Sequence, residues 1–283
     1  MNESLVNDYL AALIIGIVEG LTEFLPVSST AHIRITQELL RQPPDDSYWK
    51  MFAVVIQLGA ILSVLVYFRS RIAGFLKTFP TGADGSKAWW NHPLALVVLS
   101  FVVTAIPCFF MDKFIGDNLE SLTIMGWALI VGGIVMWWVD KQFSQRATTV
   151  RMEEMTFRQA VVIGFTQIFA AAFPGVSRSM ATIAGGQVMG LSRPAALEFS
   201  FFLSIPVMFA ATGYKLLKFV LDAEASVSSH QWQVLGVGFV VSFFVAWGVI
   251  AWFMAWVSKH GFTPFAIYRL IAGGLTLAWV YSR

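Results

Sequence analysis

The sequence predicts an all-α polytopic membrane protein, with six transmembrane helices and two re-entrant helical hairpins in an inverted-topology repeat. Three observations carry that fold class. First, 57% of residues are hydrophobic and 13% are charged, with a mean hydropathy of +0.69, a balance foreign to soluble globular domains. Second, the apolar runs match the roughly 20 helical residues needed to cross about 30 Å of hydrocarbon, and they lack the alternation of barrel strands. Third, two distant apolar segments are broken in the same way, by proline and then a cluster of hydroxyl-bearing residues.

The chain begins with MNESLVNDYL, which holds two acids and no Lys or Arg. No small-residue cleavage pattern follows, so the N-terminus is expected to be kept rather than removed as a signal peptide. Residues 5–40 are apolar overall but interrupted by FLPVSSTAH at 24–32. Each half is too short to span a bilayer, so the segment reads as a hairpin that enters and leaves on one side. Spans follow at about 51–69, 94–112 and 122–139. A second interrupted segment, 158–191, carries FPGVSRSMAT at 173–182, and three more spans follow at 198–219, 233–257 and 264–281.

The whole chain, 1–283, thus reads as one integral membrane domain made of a first repeat, 1–140, and a second, 158–283. An offset of 148 residues pairs Gly16 with Gly164, Glu19 with Gln167, Pro26 with Pro174 and Ser29 with Ser177. Three spans after each hairpin force the second copy to enter from the opposite side. In such architectures paired broken helices meet near the midplane and mark a binding site.

Loop charges set the orientation. Arg69, Arg71, Lys77, Lys87, Lys141, Arg146, Arg151, Arg158, Arg193 and Lys259 fall on one side, ten Lys and Arg against six or seven on the other. The richer side is expected to be cytoplasmic, which puts both termini outside it. A net charge of +2 with no basic stripe excludes nucleic acid as a partner. The lone Cys108 lies in an apolar run, where it reads as a buried spectator.

The interruptions carry the chemistry. Glu19 and Glu23 in EGLTE are four residues apart and share one helix face. A charge at mid-bilayer costs at least roughly 2.5–3.5 kcal/mol, so two neighbouring carboxylates need a cation, a shared proton or a basic partner. Ser28, Ser29 and Thr30 follow Pro26, with His32 close behind. Capping a helix accounts for one such hydroxyl, whereas a hydroxyl-rich turn at a helix N-terminus suits an anion. In the second hairpin Gly175 permits close backbone approach, Ser177, Ser179 and Thr182 supply hydroxyls, and Arg178 offers a planar fork for phosphate. Arg178 is the one basic residue in either tip, and a structural ion pair explains it but leaves the surplus hydroxyls without a role. Gln167, the repeat-mate of Glu19, joins the candidate substrate-facing groups. Carboxylates beside an anion-binding arginine invite a hard divalent cation, Mg²⁺ or Ca²⁺, held by Glu19 and Glu23. The residues alone describe a metal-assisted phosphoryl site for a substrate with an anionic head and an apolar tail.

EGLTEFLPVSSTAH together with PGVSRSMAT resembles the bacterial undecaprenyl-diphosphatase family, the bacitracin-resistance phosphatases; FAVVIQLGAIL, EFSFFLSIP and PFAIYRL extend the likeness along the chain. The resemblance implies removal of the terminal phosphate from undecaprenyl diphosphate, a polyprenyl carrier lipid of cell-wall synthesis. It also implies the bacterial inner membrane and a site opening to the periplasm. It places the family's acidic motif on Glu19 and Glu23, its Ser and His on Ser29 and His32, and its phosphate-binding signature on Ser177, Arg178, Ser179 and Thr182. Ala31 and Met180 depart from it, each standing where the family usually has Gly. Attack on phosphorus comes either from Ser29, with His32 as proton carrier, or from a water activated by His32 or a Glu. Membrane lipids are further partners, and a homodimer is compatible with the sequence. A transporter or lipid flippase is the rival reading, since it shares inverted repeats and broken helices. A reporter fused after Arg283 is expected to read as periplasmic, and a cytoplasmic signal there overturns the orientation.

Overall fold

The computed structural model describes residues 6–42, 46–81, 88–111, 121–221 and 227–283; expectations resting on Leu5, Lys87, Asp112 and Lys113 lie outside the described residues. The first interrupted segment folds as α1 (Asp8–Thr22) and α2 (Ser29–Leu39). Then come α3 (Ser47–Tyr67), α4 (Arg69–Thr78), α5 (Pro93–Phe110) and α6 (Leu122–Phe143). The second interrupted segment is α7 (Phe157–Ala172) and α8 (Arg178–Val188), followed by α9 (Arg193–Leu221), α10 (Ser229–His260) and α11 (Thr263–Tyr281). Among the described residues the only β-contact is an isolated bridge between Thr149 and Leu191. Among the described residues six helices, α3, α5, α6, α9, α10 and α11, are long and apolar enough to cross a membrane.

Helix starts follow side chains that take up free amides. Asn7, Asp46, Ser121, Thr156 and Ser228 each accept a backbone N–H at the start of α1, α3, α6, α7 and α10. Two boundaries differ from the hydropathy reading. The 69–93 connection contains α4, which buries Phe75 and is too short and too charged to register as an apolar run. Helix α9 begins at Arg193 rather than 198, because its charged first turns find partners: Arg193 bonds Asp140, and Glu198 accepts from Arg71.

Packing relies on small residues and hydroxyls, as expected where lipid gives helices no hydrophobic reason to associate. Helix α1 lies on α10 and α7 lies on α5; α3 also contacts both α9 and α10, and α6 pairs with α11. A Cβ on Gly16 would stand 2.8 Å from the Gly238 carbonyl, and one on Gly164 would stand 2.6 Å from the Ser100 carbonyl. At the second crossing Ser100 donates to Ala160 O at 2.7 Å and Thr104 to Gly164 O at 2.8 Å.

Two charged knots tie helix ends together. Asp140, 1% exposed, accepts from Arg193 Nε at 2.7 Å, Gln187 Nε2 at 3.1 Å and Phe262 N at 3.1 Å, joining α6, α8, α9 and the α10–α11 turn. Arg71 on α4 donates to both Glu153 and Glu198, reaching Glu153 Oε2 at 2.9 Å and Glu198 Oε1 at 2.7 Å. Burial pushes the Glu153 carboxyl up, but the Arg71 bonds outweigh it and hold the group below the usual carboxylate range. A depressed carboxyl stabilises the fold above the unfolded value of about 4.3 and loses that contribution as pH falls through the folded value. Thermal melts of the detergent-solubilised protein should therefore drop below about pH 4, and Glu153→Gln should flatten that drop while lowering the melting temperature at pH 7. Superimposable pH curves for the two proteins would remove Arg71–Glu153 from the account.

Candidate active site

Each interrupted segment turns on a serine in the left-handed region. Ser28 has φ 73° and accepts the amide of Ala31; Ser177 has φ 75° and accepts that of Met180 at 3.3 Å. Few non-glycine residues adopt this conformation. It starts α2 and α8 abruptly, so that both N-termini, with their free amides and positive dipole ends, begin at the break. The matched caps correct the register by one residue: Ser28, not Ser29, is the counterpart of Ser177, which sets Ser29 against Arg178.

A cavity of about 530 Å³ opens between the two tips, lined by Glu23, Ser28, Ser29, Thr30, Gln167, Ser177 and Arg178. Glu23 joins them. Its Oε1 accepts from Arg178 Nη2 at 2.8 Å and its Oε2 accepts the Ser29 hydroxyl. Both members of the ion pair are largely out of solvent, with side-chain exposures of 15% for Arg178 and 8% for Glu23. Arg178 Nη1 is buried with no hydrogen-bond partner. Gln167 donates to Thr104 Oγ1 at 3.1 Å while its own Oε1 is buried without a partner. The far wall is apolar, with Phe101, Val207 and Met208 among its residues.

Four sequence candidates do not line this cavity: Ser179, Thr182, His32 and Glu19. Ser179 is 1% exposed and donates to Leu25 O at 2.9 Å; Ser177 Oγ lies 3.0 Å from it, so these hydroxyls stitch the second tip to the first. Thr182, also 1% exposed, bonds Ser200 Oγ at 2.7 Å and the α8 backbone, which makes it a helix-packing hydroxyl rather than one presented to a ligand. His32 has both nitrogens taken: Nδ1 meets Ser28 O at 2.7 Å and Nε2 meets Tyr268 Oη at 2.6 Å. A carbonyl only accepts, so Nδ1 carries the proton and donates, and the tyrosine hydroxyl donates to Nε2 in the neutral ring.

Sequence reasoning missed residues outside the tips. Gln57 and Thr104 bring polar atoms to the cavity from α3 and α5. Arg269 on α11 is 0% exposed and donates to Pro26 O and Gly175 O, one carbonyl from each tip, at 3.1 Å. The signal is PFAIYRL, which sets an arginine well inside an apolar span and away from both tips.

Glu19 is 0% exposed, and its carboxylate oxygens have no partner other than the Glu23 carboxyl. It lies one helical turn before Glu23 and interacts with it electrostatically. Buried hard oxygens beside a second carboxylate fit a divalent cation, and equally a proton shared between the acids. Among the described residues no three His, Cys, Asp or Glu side chains converge.

Comparison with known proteins gives one answer along the chain. Residues 12–275 match the family described as Bacitracin resistance protein BacA. An undecaprenyl-diphosphatase of Koribacter versatilis is 52% identical over 286 residues, covering 98% of this chain and 100% of that protein. Proteins of the same name from Novosphingobium aromaticivorans and Thermoanaerobacter sp. are 43% and 40% identical, covering 98% and 97% of this chain and 100% and 97% of their own. The cavity between two broken helices therefore sits in a multi-pass membrane protein that belongs to the BacA bacitracin resistance family.

Proposed function

We propose that this protein hydrolyses undecaprenyl diphosphate to undecaprenyl phosphate and inorganic phosphate, the activity named for its relatives. One observation carries the reading: a single cavity is lined by Arg178 and by a carboxylate, Glu23, that pairs with it and already accepts a hydroxyl from Ser29. This is an anion grip next to a nucleophile and its proton acceptor, which is what phosphoryl transfer requires.

In the proposed step the terminal phosphate lies against the Arg178 guanidinium and the amides that open α2 and α8. Ser29 Oγ attacks phosphorus, its proton passes to Glu23, and the bridging bond breaks to release undecaprenyl phosphate. Water then hydrolyses the phosphoserine. The role of proton acceptor moves from His32 to Glu23 because Ser29 touches Glu23, whereas His32 is held by Ser28 O and Tyr268. His32 orients the first turn of α2. Glu19 and Glu23 would hold a divalent cation, Mg²⁺ or Ca²⁺, which supplies neutralisation of charge on the diphosphate when bound.

The finer architecture is part of the same proposal. The two interrupted segments are re-entrant hairpins of an inverted repeat, 1–140 and 158–283, in the bacterial inner membrane, with the cavity and both termini on the periplasmic side. The exchange of packing partners between halves, α1 on α10 against α7 on α5, supports it, as do the matched left-handed caps.

Phosphate release from undecaprenyl diphosphate by purified protein in detergent tests the activity and needs no sealed vesicle, unlike transport. Activity is expected, with loss of at least tenfold on chelation and restoration by Mg²⁺ or Ca²⁺. Arg178→Lys keeps the charge but loses the fork, so a fall of about 10²-fold or more in kcat/KM is expected. Ser29→Ala should abolish turnover; near-normal rates in that variant would move the attack to water. No phosphate release from the wild type sinks the proposal.

A further inference from the structure

Arg269 carries a charge that the proposed chemistry leaves unused. Its guanidinium is fully buried, and among the described residues no carboxylate pairs with it. Burying a cation is costly unless acceptors surround it. Here all of them are main-chain carbonyls: Pro26 O and Gly175 O at 3.1 Å, Ala128 O at 3.0 Å and Leu129 O at 3.3 Å.

The choice of carbonyls is specific. Pro26 and Gly175 each stand two residues before the left-handed serine of their tip, so one side chain grips the equivalent carbonyl of both breaks. Breaking a helix in the membrane strands carbonyls as well as amides. One planar fork answers both strands at once and fastens them to α6 through Ala128 and Leu129. A lysine, a point charge with three donors, cannot span four carbonyls in this arrangement. The neighbouring helix makes room for the fork: a Cβ on Gly132 would stand 2.1 Å from Arg269 Nη2.

We infer that Arg269 is a positioning residue that docks the two tips against each other, so that Ser29 and Glu23 of the first face Arg178 of the second in one fixed geometry. The inference rests on the phosphatase reading for its kinetic test and on anion binding alone for the other. Displacement of reacting groups by about an ångström costs on the order of 10²-fold in rate, so a loss of that size in kcat/KM is expected for Arg269→Lys.

The experiment compares wild type, R269K, G132A, R269A and G132A/R269A as full-length protein in detergent. It measures phosphate release and the rise in melting temperature produced by inorganic pyrophosphate. In R269K the rate should fall and the pyrophosphate-induced rise should be largely lost. G132A, which crowds the guanidinium without changing its charge, should weaken both when Arg269 is present and add nothing in R269A. A merely structural arginine would lower the melting temperature of the unliganded protein but keep the pyrophosphate increment and the rate of the folded fraction; that result overturns the inference. So does a G132A effect that is undiminished in R269A. If R269K does not fold, the G132A comparison decides. If the wild type releases no phosphate yet pyrophosphate stabilises it through Arg269, the phosphatase reading falls and the docking role stands.

Discussion

A carboxylate and a guanidinium drawn together away from water, from positions 155 residues apart in the chain, set the terms for the rest of the molecule. Neither Glu23 nor Arg178 is tolerable alone at that depth, and together they repay desolvation only if their remaining bonding capacity is filled. Glu23 uses its second oxygen to accept the Ser29 hydroxyl. Arg178 leaves capacity unfilled, since its Nη1 is buried without a partner. The ion pair holds the two breaks together and also defines what fits between them.

Much of this was legible in the sequence because broken membrane helices are costly and leave marks. Proline within an apolar run, hydroxyls next to it and charges that lipid does not tolerate gave both interrupted segments, the six spans and the tip residues. Boundaries set by charge were not legible. Hydropathy cannot see that Glu198 belongs inside α9 until Arg71 is in place to receive it. The turns themselves were less legible, since two serines in a row at 28 and 29 offer two registers against Ser177 and only backbone φ separates them. Arg269 escaped for a different reason. Its partners are carbonyls, which every residue has, so nothing in their side chains announces the contact.

Roles also redistribute once side chains have neighbours. Composition groups Ser177, Ser179 and Thr182 as one hydroxyl cluster, but their surroundings divide them. Ser177 caps α8 and faces the cavity, Ser179 ties its tip to Leu25, and Thr182 bonds Ser200 on α9. Helical spacing sends successive hydroxyls in different directions, so density of polar residues along a segment overstates how many reach one point. His32 gives the same lesson, since its ring is committed to Ser28 and Tyr268.

The left-handed serines at 28 and 177 leave little freedom for sequence drift. Glycine at either place relaxes the backbone but forfeits the hydroxyl that receives the amide three residues on. Threonine retains the hydroxyl, yet its branched carbon makes positive φ harder to reach. Asparagine and aspartate reconcile a cap with that backbone, but each is larger than serine, and aspartate adds a charge. Two small, chemically ordinary positions are thereby among the least replaceable in the chain.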